Sequence, residues 1–267
     1  MKPTNALNFS TILAEAVNQP GSIMEAYSAF YNYSLGNQLM ALFQCHHRGL
    51  QIGPLDTFKG WQVRGRFVKR GEKALTLCMP ISVKRRDRSA ASGELETEDV
   101  FTTAFVHKPR WFVLSQTEGE EFTLPAFPEW DAETALAALQ ITQAPFTSTD
   151  GNCQGYAKKR EVAINPLAQL PHKTLFHELG HIELAHTVEA DFTDDERTPK
   201  SLREVEAEAV ALLCCEALNL EGAVFCRGYI QSWANGEPIP ETSARKILGA
   251  ADRILKAGIP KKDVMLN

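Results

Sequence analysis

One five-residue segment, His177-Glu178-Leu179-Gly180-His181, constrains this chain more than any other. Residues four apart share a face on an α-helix, so the pattern brings its histidines together only if the segment is helical. The flanks agree with a helix. Pro171 suits a first turn, and Leu175, Leu179 and Ile182 supply an apolar face. On such a helix His177 and His181 direct two imidazole nitrogens at one divalent cation. Glu178 projects beside them, placed to take a proton from water activated by that cation. A structural zinc takes four protein ligands, whereas a catalytic one takes three and keeps a position for water. One more ligand must therefore come from elsewhere.

His186 is the next histidine, but on a continuing helix it is rotated well off the shared face, which suits packing or solvent better than ligation. The better source is the segment from Arg203 to Ala211, which begins a second helix about twenty residues downstream. Glu204 and Glu208 lie one turn apart on one face, and Ala207 and Ala211 let helices approach closely. A carboxylate among Val205, Ala209, Val210, Leu212 and Leu213 is costly to bury unless a cation or hydrogen bonds compensate it. We expect Glu204 as the third ligand and Glu208 as the carboxylate that orients a histidine, with Glu206 competing for the ligand role. The expected ion is Zn2+, with Mn2+ or another divalent metal as alternatives.

The rest of the chain sets the context. Its 267 residues suggest two domains, and 44% apolar with 23% charged residues is ordinary for a globular protein. No run approaches the about eighteen apolar residues of a membrane span, and no apolar signal core follows Met1. A cytoplasmic protein without membrane partners is expected. The six cysteines form no CxxC pair and read as reduced core thiols. The net charge of −5 argues against nucleic acid as a partner of the whole chain, but it conceals a division. Residues 59–88 carry ten basic and two acidic residues, or +8, while residues 129–267 carry −7.

Helices are expected around residues 9–17, with Ser10 as a cap, and around 23–31 and 35–45. Strands are expected at 62–68 and 74–81, joined by a turn at Lys69–Glu72, and again at 100–106 and 111–114. Arg85–Asp99 reads as a loop, and Pro125 and Pro128 suggest a linker. A helix at 132–139 and a strand at 161–165 precede helical patterns at 172–187, 201–219, 222–234 and 241–257. Strands followed by helices imply an α+β fold, with domains at 1–128 and 129–267. The strand at 161–165 is expected as an exposed edge beside the metal, able to pair with an extended substrate. Tyr156 is a candidate for oxyanion stabilisation.

The chain resembles the ArdC family of antirestriction proteins from conjugative plasmids and related mobile elements. The resemblance rests on Tyr33-Ser34-Leu35-Gly36-Asn37-Gln38-Leu39, on the segment Gly60 to Lys73, on Phe112 to Gly119, on the HELGH motif and on Arg203 to Ala211. It implies an N-terminal domain that binds single-stranded DNA and a C-terminal zincin-like metallopeptidase domain, together protecting incoming DNA from host restriction. The C-terminal part also resembles the zincin domains of DNA-linked proteases and of phage repressor-cleaving peptidases. In related glutamate-liganded zincins an acidic residue follows the third ligand by four positions, which implies Glu204 with Glu208.

The basic block fits the DNA reading independently. Phe58, Trp61 and Phe67 interleave with Arg and Lys, and single-strand binders combine a basic track with aromatic platforms. The candidates are Trp61, Arg64, Arg66, Lys69, Arg70 and Lys73. The alternative is a core role for Trp61 and Phe67 beneath a solvated charged face. At the level of function, two other readings stand beside a zinc peptidase. One is a non-catalytic DNA-coating protein with a structural metal; the other is a peptidase that cleaves a repressor or restriction subunit.

Overall fold

A computed structural model of the chain describes residues 8–86, 99–123, 129–187, 199–234 and 237–260. Most of the expected 85–99 loop, and the proline-containing part of the expected linker, lie outside these residues. Three helices come first: α1 (Phe9–Asn18), α2 (Ser22–Phe30) and α3 (Leu35–Arg48). A mixed segment follows: β1 (Leu55–Thr57), α4 (Phe58–Val63), β2 (Arg66–Val68), β3 (Leu75–Arg86), β4 (Asp99–Val113) and β5 (Thr117–Gly119). The remainder is α5 (Ala132–Leu139), β6 (Thr142–Gln143), β7 (Gly155–Lys158), β8 (Glu161–Ile164), α6 (Pro171–Glu183), α7 (Lys200–Ala217), α8 (Ala223–Ala234) and α9 (Glu241–Ala257). The fold is α+β.

Two compact units result. One joins Met1–Leu42 to Thr123–Asn267, and the other is Phe43–Phe122. This division differs from a single cut at residue 128, and the reason lies in how α1 and α2 are anchored. Glu216, buried on α7, accepts the backbone N–H groups of Gly21 and Ile23 at 2.8 and 3.1 Å and so satisfies donors at the start of α2. Arg227 of α8 donates to Glu216 and to the carbonyls of Ala16 and Val17 at the end of α1. Removing one member would leave the other's charge buried. The cap of α1 is Asn8, whose side chain accepts from Thr11 N–H, while Ser10 instead donates to the Ile239 carbonyl.

At the centre of the larger unit lies α7, with every residue from Val205 to Ala217 buried. A helix buried all round needs neighbours all round, and α7 packs against α2, α6, α8 and α9. Its approach to α6 is close. A Cβ added to Gly180 would stand 3.1 Å from Ala207 Cα and 3.2 Å from Val210 Cβ, so glycine is what permits this spacing. The three-stranded sheet of this unit runs β6-β8-β7, with β7 antiparallel to β8.

In the smaller unit, β4 pairs antiparallel with both β1 and β3, and β2 pairs with β5. The expected 62–68/74–81 hairpin therefore does not form. Thr57 caps Gly60 N–H at 3.1 Å and starts α4 where a strand was expected, so the strand shrinks to 66–68. Val68 then faces Thr117 rather than β3. The two expected strands at 100–114 are one strand, β4. None of the six cysteines is in a disulfide, and Cys45, Cys214, Cys215 and Cys226 are buried. Among the described residues no helix is long and apolar enough to cross a membrane.

Candidate metal centre

The helix α6 presents His177 and His181, and α7 presents Glu204 opposite them. The three donor atoms lie within 4.8 Å of one another. His177 Nε2 is 3.2 Å from His181 Nε2, and Glu204 Oε2 is 3.5 and 3.6 Å from those two nitrogens. Ligand bonds of about 2.1 Å in a tetrahedral site separate donors by about 3.4 Å, so one cation fits this triangle. Two imidazoles and a carboxylate suit zinc and other first-row divalent ions. Among the described residues the cluster has three donors, which leaves a tetrahedral ion a fourth position.

The surroundings of the two histidines differ. Nδ1 of His177 is 2.8 Å from Glu208 Oε2, and Glu208 also takes the Lys173 ammonium at 2.9 Å. Burial works against the Glu208 carboxylate, but the His177 and Lys173 hydrogen bonds outweigh it and bring its pKa down to about 2. In the metal-free protein burial also opposes charge on His177. Its bonds to Glu204 and Glu208, with Glu178 nearby, prevail and raise it to about 9. A proton on His177 Nε2 then stands where a cation would. His181 goes the other way: burial, then the charge of His177, lowers it to about 4.

Glu178 is almost fully buried, and burial raises its carboxyl above the usual range. A carboxylate so shifted is a better proton acceptor near neutral pH than a solvated one. It lines a cleft of about 380 Å³ with His177, His181, Glu204, Tyr156, Lys200 and Arg203. The edge of the sheet beside this cleft is β7, not the 161–165 strand, which is central as β8. Tyr156 lies on β7, and its hydroxyl is 3.1 Å from the Thr147 hydroxyl.

Glu206, the competing ligand in the sequence, points elsewhere. Its Oε2 is 2.9 Å from His186 Nε2, and His186 Nδ1 is 3.1 Å from His181 Nδ1. The sequence reading missed this pairing because the helix ends at Glu183 rather than running to residue 187. Ala185 adopts φ 61°, His186 N–H bonds His181 O at 2.8 Å, and Ala185 N–H bonds Ile182 O at 3.0 Å. This is a Schellman turn, which folds His186 back beneath His181. Such turns are usually signalled by glycine, and alanine gives no warning.

The basic candidates lie in the smaller unit. Trp61 is not available as a stacking platform: it is 1% exposed, donates from Nε1 to Phe112 O at 2.8 Å, and meets the Phe122 ring edge-on at 5.5 Å. Arg66 is engaged across the β2–β5 pair, donating to Thr117 Oγ1 at 2.8 Å and to the Glu120 carbonyl. Arg64 pairs with Asp56 at 2.9 Å but remains half-exposed, and Lys69 reaches the Ser115 carbonyl. Arg70 and Lys73 are exposed. Phe58 and Phe67 are half-exposed, at 50% and 55%.

Residues 14–109 match the N-terminal domain of the anti-restriction factor ArdC. The chain is also similar to two crystal structures of the antirestriction protein ArdC from plasmid R388. The metal-free one shares 17% identity over 94% of each chain, with a TM-score of 0.49. The Mn(II)-bound one shares 16% identity over 95% of this chain and 99% of the other, with a TM-score of 0.51. None of the curated proteins matches the chain. The chain thus carries an N-terminal domain of the ArdC type at residues 14–109 and shares its fold with the Mn(II)-bound ArdC structure.

Proposed function

We propose that the chain is an antirestriction protein that binds single-stranded DNA through its smaller unit and hydrolyses a peptide bond at the His177–His181–Glu204 centre. The observation that carries the catalytic part is the donor triangle, sized for one cation, with Glu178 buried beside it. The Mn(II) in the related ArdC structure supports a divalent ion here. Zn2+ is the ion this donor set suits best.

The bound ion would supply Lewis acidity toward a peptide carbonyl and the attacking water. His177 and His181 hold it from one helix and Glu204 from the next. Glu208 keeps a proton on His177 Nδ1, so that Nε2 presents its lone pair to the ion. Glu178 takes the proton of the attacking water and passes it to the leaving amine. The open edge of β7 supports backbone pairing with an extended substrate across the cleft. The substrate class is a protein of the restriction or repressor machinery.

For DNA, Arg64, Lys69, Arg70 and Lys73 supply charge, and Phe58 and Phe67 take the platform role that buried Trp61 cannot fill.

Glu178→Gln tests the chemistry. The variant should bind Mn(II) or Zn(II) like the wild type and lose peptide hydrolysis by at least about a thousandfold. Equal cleavage of a genuine substrate by the variant would sink the mechanism. Unimpaired protection of DNA by that hydrolytically dead variant would leave coating alone as the function.

A further inference from the structure

We infer that His186, fixed by Glu206, is the positioning residue that sets the tautomer of His181 and thereby makes it a metal ligand. The inference rests on the metal centre proposed above and assigns a role to a histidine outside the HExxH motif.

Four nitrogen atoms and one carboxylate form a continuous chain from the donor triangle to Glu206. To bind a cation, His181 must offer the lone pair of Nε2, the atom that faces His177 and Glu204. A neutral imidazole has one N–H, so the proton must then be on Nδ1. That atom lies 3.1 Å from His186 Nδ1, and two nitrogens at this distance need one donor and one acceptor. His186 Nδ1 must therefore accept, and the proton of His186 must be on Nε2. There it meets Glu206 Oε2 at 2.9 Å, a carboxylate that can only accept while ionised. Each step admits one proton placement, and the chain ends at an anchor that is 2% exposed. Ser243, from α9, also hydrogen-bonds Glu206 and holds its orientation. The Schellman turn at Ala185 delivers the His186 ring to this position without help from the helix face.

The arrangement differs from that around His177, where Glu208 acts directly. A carboxylate one residue pair away does for His181, through an imidazole spacer, what Glu208 does for His177 by contact. Metal-ligating histidines generally need such a partner, and its loss costs about 10–100-fold in metal affinity.

The test is Mn(II) titration calorimetry on the wild type, His186→Phe and His186→Gln. The phenyl ring keeps the volume and removes both nitrogens. Glutamine restores an acceptor toward His181 and a donor toward Glu206. His186→Phe should bind Mn(II) about 10–100-fold more weakly. His186→Gln should recover part of the loss, and far-UV circular dichroism of both should match the wild type. If the wild type binds Mn(II) and His186→Phe binds it equally well, the relay is wrong while the metal centre stands. If the wild type binds no divalent ion, the metal centre falls and the relay with it. Should His186→Phe fail to fold, long-range 15N–1H spectra of the Zn(II)-loaded wild type decide the matter. A proton on Nε2 of His186 is the expected result, and one on Nδ1 alone overturns the proposal.

Discussion

The α6–α7 pair and the basic segment of the smaller unit both concentrate charge, yet they use it oppositely. On α6 and α7, His177, His181, Glu204, Glu206 and Glu208 are drawn together, with Glu208 bonded to His177 and Glu206 to His186. In the basic segment the charges disperse. Arg66 bonds backbone and side chain of the β5 segment, Arg64 pairs with Asp56, and Arg70 and Lys73 reach solvent. The difference follows from the local architecture. Two packed helices repeat positions every turn and so align side chains of fixed spacing. Short strands of two or three residues cannot impose such a register, and each long basic side chain settles its own account with the nearest carbonyl or with water.

The largest expected effect separates the buried tryptophan from the exposed phenylalanine. Trp61→Ala removes a fully buried ring and its hydrogen bond to Phe112 O, and should cost about 3–5 kcal/mol of stability. Chemical denaturation followed by a probe in residues 43–122 would measure it. A cost below about 1 kcal/mol would mean that Trp61 is not the core residue described.

A second experiment addresses proton competition at the metal centre. His177 in the metal-free protein holds its proton up to about pH 9, so a cation must displace that proton at neutral pH. Affinity for Mn(II) should rise roughly tenfold per pH unit between about 7 and 9, with close to one proton released per ion in calorimetry at pH 7. The contribution of His177 to the stability of the metal-free fold should run the other way. Its raised histidine pKa adds stability that is fully present below the ordinary value of 6.5 and is lost as pH rises through about 9. An affinity that does not change over that range would show that His177 is already deprotonated.

The smallest effect is at the surface. Phe67→Ala should leave stability nearly unchanged and weaken single-stranded DNA binding by about 1–3 kcal/mol, read by fluorescence anisotropy at fixed salt. If Phe67→Ala binds DNA as tightly as the wild type, the exposed ring is not a stacking platform.

The helical half of the molecule was the legible half. The 3.6-residue pattern located α6 to α9 within a few residues, and the motif named three of the residues that gather at the centre. The one-turn spacing of Glu204 and Glu208, together with the family resemblance, favours Glu204 over Glu206, and in the structure it is Glu204 that faces His177 and His181. What stayed hidden depended on single backbone angles. A left-handed alanine at position 185 turns His186 beneath the site, and no residue type announced it. Thr57 as a helix cap was a readable signal for α4, but the alternating Val63, Phe67 and arginines outweighed it. The burial of Trp61 was unreadable because an aromatic ring among basic residues has the same local sequence whether it faces bases or a core.

Gly180 carries a consequence for the size of the donor triangle. Two donors of the triangle sit on one helix and the third on the other, so the His177–His181 edge is internal to α6 while both edges ending on Glu204 span the gap to α7. A Cβ at position 180 would meet Ala207 Cα at 3.1 Å, so α7 would have to give by a few tenths of an ångström. One added carbon at position 180 would lengthen two sides of the triangle and leave the third unchanged. The size of the donor triangle is thus written in the middle of the HELGH motif, at a residue that supplies none of its donors.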